Sequence, residues 1–336
     1  MSDRVALCHK PDAERVIAAA RERGVYDADR RVREHDAETV AVPVTAAVDA
    51  APVIDVISDA DPAPRRRGLD DRLRARGLSA AEIERAPSSW AAIGDVILAD
   101  FGDCERRNEV GAALLDLHGG AHTVLDRQGI TGEHREPDVG VVVGRGETAT
   151  VHVEHGTEYA LDLRDVMFSP GNAAERVRTG EAVASDETVL DMFAGIGYFA
   201  LPAARAGATV LAVERNPASF RFLVENARRN GVADSVLPIL SDCRDVLARR
   251  DVAADRVLMG HYDAESYVGP ALDALAPGGV VHLHATTPAD DPFARPATAL
   301  RDAAAERGRS VSVTDRRVVK SYSPGVEHVV VCARVA

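Results

Sequence analysis

Lysine is nearly missing from this chain of 336 residues. Lys10 and Lys320 are its only lysines, so almost all of the 40 basic residues are arginine, against 53 acidic residues and a net charge of −13. We expect such an acidic, lysine-poor surface in an intracellular protein of a salt-loving organism. Because molar salt screens charges beyond about 3 Å, the negative net charge does not exclude a nucleic-acid partner. Local arginine clusters matter more for that question.

Long apolar runs, paired cysteines and a leader-like start are also absent. No continuous apolar stretch reaches the length of a membrane span, and residues 1–4 lack the basic-then-apolar order of a signal peptide. The four cysteines lie far apart without a Cys-x-x-Cys pair, which argues against a zinc site or a disulfide framework. We therefore expect a cytoplasmic, monomeric protein with reduced, buried thiols, no bound metal and no membrane partner.

The most informative stretch reads LDMFAGIGYF. An apolar run ends in Asp191, Gly195 and Gly197 follow, and a helix-forming run comes next, which predicts a strand, a tight turn and a helix N-terminus. Glu214 closes the next apolar run, where a carboxylate can accept hydrogen bonds from both hydroxyls of a ribose. A full dinucleotide fingerprint is absent. In this context the pattern favours a nucleoside site over an ordinary strand-to-helix turn.

Predicted strands alternate with helices from residue 188 onward. We place strands at 188–193, 209–214, 235–241, 254–260, 278–286, 310–320 and 326–334. Five β-α units and a closing hairpin predict a Rossmann-like α/β fold, a seven-stranded doubly wound sheet with one antiparallel strand. Such sheets bind ligands outside the carboxyl ends of their strands. Asp191, Glu214, Asp242 and His261 fall at those ends.

The chain before this sheet divides into smaller parts. Residues 1–58 read strand, helix, strand and predict a small α/β domain. Residues 59–85 form an arginine-rich, proline-broken linker with a short helix, equally suited to phosphate contacts and to solvent. Residues 86–175 predict a mixed α/β platform. The domain of the large sheet and its nucleoside site then takes residues 176–336.

The platform leads directly into the domain of the large sheet. We predict a strand at 93–100, a helix to Leu117 and three short strands to about Leu163. A Ser-Pro-Gly-Asn turn then precedes a helix that carries Arg176 and Arg178, which we expect on one side of it.

Five short segments together match a known pattern. They are GEHREP at 132–137, TVHVEHG at 150–156, MFSPGN at 167–172 with Glu175 and Arg176 after it, DMFAGIG at 191–197 and ERNP at 214–217. The region from residue 96 to the C-terminus, about two-thirds of the chain, resembles a class I S-adenosylmethionine-dependent family. This family holds the tRNA position-37 guanine-N1 methyltransferases and the tRNA-Phe wyosine-pathway aminocarboxypropyltransferases. Residues 1 to about 50 are more loosely similar to the small tRNA-elbow-contacting domain of the methyltransferases.

Two positions favour one branch of that family. The methyltransferases carry an Asn-x-Pro type motif after strand four that holds the guanine, whereas residues 256–262 read RVLMGHY. The methyltransferases also tend to have proline where this chain has Tyr198. The His-x-His pair at His282 and His284 resembles the aminocarboxypropyltransferase branch too, although a core histidine is the expected role for at least one of the two.

The resemblance implies a reaction and its partner. The 3-amino-3-carboxypropyl group of S-adenosylmethionine would be transferred to C7 of 4-demethylwyosine at position 37, in the anticodon region of tRNA-Phe, with release of methylthioadenosine. Methylation of guanine 37 on N1 is the alternative. A catalytically silent tRNA-binding module is a third possibility from another class.

The resemblance also implies roles for cofactor-binding residues. Glu214 would accept from the ribose, and Asp242 with the backbone N–H of Cys243 would bind the adenine, although Asp242 can also act as a helix N-cap. Ser169 and Arg176 would hold the methionine carboxylate. The alternative for Arg176 is a surface ion pair with Glu175 or Glu181.

The base to be modified should arrive at His261 and Tyr262. Tyr262 can stack on it, and His261 can accept a proton because the pKa of histidine lies near neutrality. The alternative is that one of them faces the core, since adjacent strand residues point opposite ways. Arg135, in the GEHREP segment, would hold phosphate or base.

Overall fold

The computed structural model describes residues 4–48, 52–58, 68–132 and 134–336. Its contacts divide the chain into two units, Met1–Glu84 and Arg85–Ala336. Within the described ranges, no helix is both long and apolar enough to cross a bilayer.

The first unit contains a four-stranded antiparallel sheet with a helix packed on it. Its strands are β1 (Arg4–His9), β2 (Arg33–Glu34), β3 (Thr39–Val44) and β4 (Asp55–Ser58), in the order β2-β3-β1-β4. Helix α1 (Ala13–Glu22) buries Val16 and Ala20 in the core of this unit. Helices α2 (Leu69–Ala75) and α3 (Ala80–Glu84) complete it. The predicted strand-helix-strand order is present, and residues 59–67 of the predicted linker lie outside the described residues.

The second unit begins with two small sheets and a helix. Strands β5 (Trp90–Ile93), β6 (Val96–Ala99), β7 (Thr123–Thr131) and β8 (Glu136–Gly144) form one sheet, β9 (Ala149–Glu154) pairs with β10 (Thr157–Asp162), and α4 is Arg107–Leu117. The prediction of one strand at 93–100 was wrong, because Gly94 has a φ of +56° and turns the chain into a hairpin. Four strands, not three, follow α4.

The large sheet has seven strands, as predicted. They are β11 (Thr188–Asp191), β12 (Thr209–Glu214), β13 (Val236–Leu240), β14 (Ala254–Met259), β15 (Leu275–Pro288), β16 (Val311–Ser323) and β17 (Val326–Val335). Their order is β13-β12-β11-β14-β15-β17-β16, and β17 is antiparallel to both neighbours. The strand order reverses between β11 and β14, so a cleft opens beyond Asp191 and Met259. The predicted α/β doubly wound fold is confirmed.

Helices cover both faces of this sheet. They are α5 (Ala173–Ala182), α6 (Ala200–Arg205), α7 (Pro217–Arg229), α8 (Cys243–Leu247), α9 (Val268–Asp273) and α10 (Ala294–Ala305). Val189 and Leu190, neighbours on β11, belong to two different apolar clusters, because successive strand residues point to opposite faces. The cluster of Val189 also contains Leu125 of β7 and Tyr159 of β10. The large sheet and the strands before it therefore share a core, and the domain boundary predicted at 175–176 stays a prediction.

Candidate cofactor and substrate site

A cavity lies beyond the carboxyl ends of β11, β12 and β14, at the point where the strand order reverses. Nine of the eleven residues predicted for the site line it. The two exceptions are Asp191 and Gly197. The cavity therefore lies where the sheet topology places a ligand site.

Glu214 is fixed at the cavity wall by two backbone donors. The N–H of Gly195 donates to its Oε2 and the N–H of Asn216 donates to its Oε1, each at 2.7 Å. Burial raises the pKa of Glu214, which these hydrogen bonds oppose. A carboxylate oxygen can accept two hydrogen bonds, so each retains capacity for a ligand hydroxyl. The carboxylate is thus oriented before any ligand binds.

The glycine turn is shaped by Tyr198. Gly195 has a φ of +56°, and the Tyr198 ring occupies the space that a Cβ on Gly195 would need. The Tyr198 hydroxyl donates to the carbonyl of Met167. Gly197 has a φ of +102° and lies against Leu201, away from the cavity. Through this hydrogen bond, Tyr198 connects the glycine turn to the segment that carries Ser169.

Asp191 supports the turn without lining the cavity. Its side chain is fully buried, and Oδ1 accepts from the N–H of Phe193 at 3.3 Å. Oδ2 has no hydrogen-bond partner among the described residues. Burial, with a smaller contribution from the charge of Glu214, raises the pKa of Asp191 to about 7. Asp191 therefore lies beneath the turn and does not line the cavity, and a role for it in binding a cofactor stays a prediction.

Asp242 caps helix α8. Its Oδ1 accepts from the N–H of Arg244 at 2.9 Å, and the Arg244 guanidinium contacts both carboxylate oxygens. These hydrogen bonds lower the pKa of Asp242. The N-cap alternative is therefore present, while contact with adenine stays a prediction. Cys243 beside it lines the cavity, and burial raises its pKa to about 12, so the thiol is neutral.

Arg176 is neutralised inside the protein. Its Nε and Nη2 donate to the two carboxylate oxygens of Glu154 at 2.7 and 2.8 Å, and Nη2 also donates to the carbonyl of Ser169. Neither acid expected as an alternative partner is used, since Glu175 pairs with Arg317 and Arg176 is 3% exposed. The bidentate pair leaves Nη1 as the group of Arg176 that a ligand carboxylate can still use.

Two arginines predicted on one side of α5 point in different directions. Arg176 is buried, whereas the side chain of Arg178 is 53% exposed. Residues two apart on a helix are separated by about 200°, which explains the difference.

His261 lies just beyond β14, and so does Tyr262. Both line the cavity, because the strand ends at Met259 and its alternation no longer applies. The alternative, in which one of them faces the core, does not apply, because both side chains line the cavity. The Nδ1 of His261 accepts from the N–H of Asp263 at 3.1 Å, so the neutral ring carries its proton on Nε2. Burial lowers the pKa of His261. The predicted proton acceptor is therefore a hydrogen-bond donor in this arrangement.

Tyr262 is surrounded by rings and a guanidinium. Arg135 lies over its ring at 5.4 Å from the centroid, and the rings of Tyr322 and His328 approach at 5.0 and 4.8 Å. Tyr322 is half-exposed and touches the cavity only through Tyr262. Neither Tyr322 nor His328 was expected at the site. Both belong to the closing hairpin β16-β17, far along the chain from the other residues of the site, and no local signal marks them.

The two histidines of β15 are core residues. Nε2 of His282 lies 2.6 Å from Nη1 of Arg256, and its Nδ1 lies 3.3 Å from Sγ of Cys332. Nδ1 of His284 lies 3.0 Å from Nε2 of His328. Burial lowers the pKa of His284 to about 3. Neither histidine lines the cavity, as expected for at least one of them.

Comparison with known proteins places the chain among tRNA-modifying enzymes. Residues 150–313 match the TRM5/TYW2 methyltransferase domain and residues 69–148 match the TYW2 N-terminal domain. The tRNA(Phe) (4-demethylwyosine(37)-C(7)) aminocarboxypropyltransferase of Pyrococcus horikoshii is 37% identical over 281 residues, 81% of this chain and 99% of the relative.

Two solved structures are similar over most or all of the chain. The structure of P. horikoshii TYW2 in complex with MeSAdo has a TM-score of 0.68 and 33% identity, and covers 80% of this chain and 97% of that one. Trm5b from Pyrococcus abyssi has a TM-score of 0.78 and 27% identity, with both chains covered completely.

Proposed function

The chain belongs to the TRM5/TYW2 methyltransferase family, and from this premise we propose that it is an S-adenosylmethionine-dependent tRNA aminocarboxypropyltransferase. It transfers the 3-amino-3-carboxypropyl group to C7 of 4-demethylwyosine at position 37 of tRNA-Phe and releases methylthioadenosine. The P. horikoshii relative, matched over almost its whole length, bears the name of this activity.

The main support for this proposal is the part of the cavity wall that directly follows β14. Gly260, His261 and Tyr262 line the cavity there, with no Asn-x-Pro motif to hold a guanine by its amide edge. An aromatic ring and a ring N–H can instead stack on a tricyclic base and donate to one of its acceptors. The side chains at this wall thus favour the aminocarboxypropyl reaction over N1 methylation.

The residues of the cavity fit S-adenosylmethionine. Glu214 offers oriented acceptors for ribose hydroxyls, and Asp242 lies at the next strand end for the adenine amine. Ser169 and Arg176 lie on the wall that would receive the amino-acid end. S-Adenosylmethionine supplies a sulfonium leaving group and three electrophilic carbons, of which the one facing the nucleophile reacts.

Positioning is the main task of the protein in this reaction. A bond forms between C7 of the base and the γ-carbon of the donor, and the γ-carbon–sulfur bond breaks with its electron pair going to sulfur. The C7–H bond then breaks, its electron pair restores the ring, and the proton passes to solvent water. Tyr262 and Arg135 hold the base by stacking and by charge, and His261 donates to it through Nε2. Because the sulfonium already leaves easily, orientation of these two carbons accounts for the selectivity.

The setting of the enzyme is part of the proposal. We place its contacts at the anticodon region of tRNA-Phe, in the cytoplasm, with the protein acting as a monomer in concentrated salt. The chain has 38 arginines, only two lysines and a net charge of −13, and this composition supports activity in concentrated salt. Activity that is highest in dilute buffer and lost in molar potassium chloride would contradict it.

Product analysis tests the reaction. The protein is incubated with S-adenosylmethionine and either tRNA-Phe carrying 4-demethylwyosine or the same tRNA carrying unmodified guanine at position 37. We expect methylthioadenosine from the first tRNA and no product from the second. Release of S-adenosylhomocysteine from the second tRNA would identify a guanine methyltransferase instead, and failure to bind S-adenosylmethionine would identify a silent binding module.

A further inference from the structure

Lys320 is a half-buried ammonium with no acidic partner among the residues that the structure describes. The other lysine, Lys10, is exposed and pairs with Glu34 at 2.8 Å. Among the described residues, no carboxylate lies within ion-pair distance of Lys320. Burial lowers the pKa of Lys320, and the charges of Arg176 and Arg127 lower it further. Burying a charge costs free energy unless an opposite charge lies close to it. A bound anionic ligand would therefore stabilise the Lys320 ammonium.

The Nζ of Lys320 reaches the cavity through a serine. It donates to Oγ of Ser169 at 2.6 Å, and Ser169 lines the cavity. Gly171 makes room for the lysine, since a Cβ there would come within 3.1 Å of Cδ of Lys320. A hydroxyl that accepts from an ammonium keeps its own proton for donation. The lysine therefore leaves the Ser169 hydroxyl proton available to a ligand.

The charges around Ser169 do not cancel. Arg176 is matched by Glu154 in a bidentate pair, whereas no described carboxylate matches Lys320. The charge of Lys320 is therefore left without a counter-charge from the described residues, with the charge of Arg127 also acting on it. A carboxylate of a ligand could pair with it directly.

We propose that Lys320 is a positioning residue of a carboxylate subsite, which orients the Ser169 hydroxyl and supplies the charge that holds the methionyl carboxylate of S-adenosylmethionine. The inference rests on the proposed function only in taking S-adenosylmethionine as the ligand. A phosphate of the tRNA offers the same oxyanion chemistry. The carboxylate is favoured because Ser169 lines the same cavity as Glu214, the expected ribose acceptor.

The test compares S-adenosylmethionine with decarboxylated S-adenosylmethionine, which lacks only the carboxylate. Calorimetry gives both dissociation constants for the wild type and for Lys320→Met, without tRNA. The substitution should weaken binding of S-adenosylmethionine about tenfold to hundredfold, the effect of a hydrogen-bonded charge. It should leave binding of the decarboxylated ligand unchanged. Lys320→Arg should recover part of the preference.

The other lysine provides the matched control. Lys10→Met removes the same charge from an exposed site in the other unit and should leave both constants unchanged. Equal weakening of both ligands by Lys320→Met would reduce Lys320 to a structural role and overturn the proposal. Unchanged binding of both ligands with weaker tRNA binding would assign Lys320 to a phosphate and overturn it as well.

The binding test of the carboxylate subsite can be distinguished from the product test of the proposed reaction. If the carboxylate preference depends on Lys320 while the reaction releases S-adenosylhomocysteine, the subsite stands and the aminocarboxypropyl reaction falls. If the wild type binds neither ligand, both proposals fall.

Discussion

The two halves of the cavity are built by different means. The cofactor half, defined by Gly195, Glu214 and Asp242, is held by backbone N–H groups and a helix cap. The base half, defined by Arg135, His261 and Tyr262, is held mainly by contacts between rings and a guanidinium, including the contact of Tyr262 with the Tyr322 ring behind it. Backbone hydrogen bonds fix a carboxylate closely, whereas ring contacts leave more freedom. The cofactor half is thus common to many reactions, and the base half has to select one.

Loss of the Glu214 carboxylate should have the largest effect. Glu214→Ala removes both proposed ribose acceptors and leaves the N–H groups of Gly195 and Asn216 without their partner. Two hydrogen bonds to a charged group are together worth about 4 kcal/mol, or about a thousandfold in affinity. Calorimetry should show this loss for S-adenosylmethionine and for methylthioadenosine alike, because both contain the ribose. Unaltered binding of methylthioadenosine would remove Glu214 from the ribose site.

Loss of the Tyr262 ring should affect the base half of the cavity and not the cofactor half. Stacking on a base contributes about 1 to 3 kcal/mol, so Tyr262→Ala should lower the single-turnover rate with modified tRNA about tenfold to hundredfold. Binding of S-adenosylmethionine should not change, and Tyr262→Phe should keep most of the rate. If Tyr262→Ala weakens the cofactor as much as it slows the reaction, the division into halves is wrong.

Asp191, which is buried beneath the cofactor half, should make the stability of the protein depend on pH. Its pKa in the folded protein, about 7, lies above the ordinary value of 3.8. The contribution of Asp191 to stability is therefore complete below pH 3.8 and is lost as the pH rises through 7. Asp191→Asn carries no such group, so its unfolding free energy relative to wild type should rise by about 2 to 3 kcal/mol between about pH 5 and pH 8, at about 1.4 kcal/mol per pKa unit.

Urea unfolding at the two pH values measures this difference. Asp234→Asn is the control, because Asp234 is exposed and should show no such dependence. A pH-independent difference for Asp191→Asn would mean that Asp191 is ionised in the folded protein throughout.

The large sheet could be predicted from sequence because its signals are local. Each strand is an apolar run, and the predicted ends agree with the observed ones within about three residues. The hairpin at Gly94 was missed because the turn interrupts an apolar run by only two residues. Apolar residues on both sides of a tight turn look like a single strand.

The partners of the site residues could not be predicted because long-range pairing brings them together. Lys320 reaches Ser169 across 151 residues, through the closing hairpin. For Arg176, closeness in sequence points to Glu175 and Glu181 as ion-pair partners, yet the partner is Glu154 on another element. Helix periodicity predicts that Arg176 points inward, but no local pattern identifies its ion-pair partner.

The smallest effect is expected for a glutamine in place of His261. Since Nδ1 accepts from the Asp263 N–H, the ring presents a proton at Nε2, and the amide of Gln can present one at a similar distance from the backbone. His261→Gln should keep activity within about tenfold, whereas a lost general base costs about a hundredfold or more. His261→Asn, too short to place a donor there, should lose more. Because the pKa of His261 is lowered, the wild-type single-turnover rate should be flat above pH 6.5. A rate that rises through neutral pH, together with equal inactivity of both variants, would make His261 the proton acceptor and give the base half a catalytic group of its own.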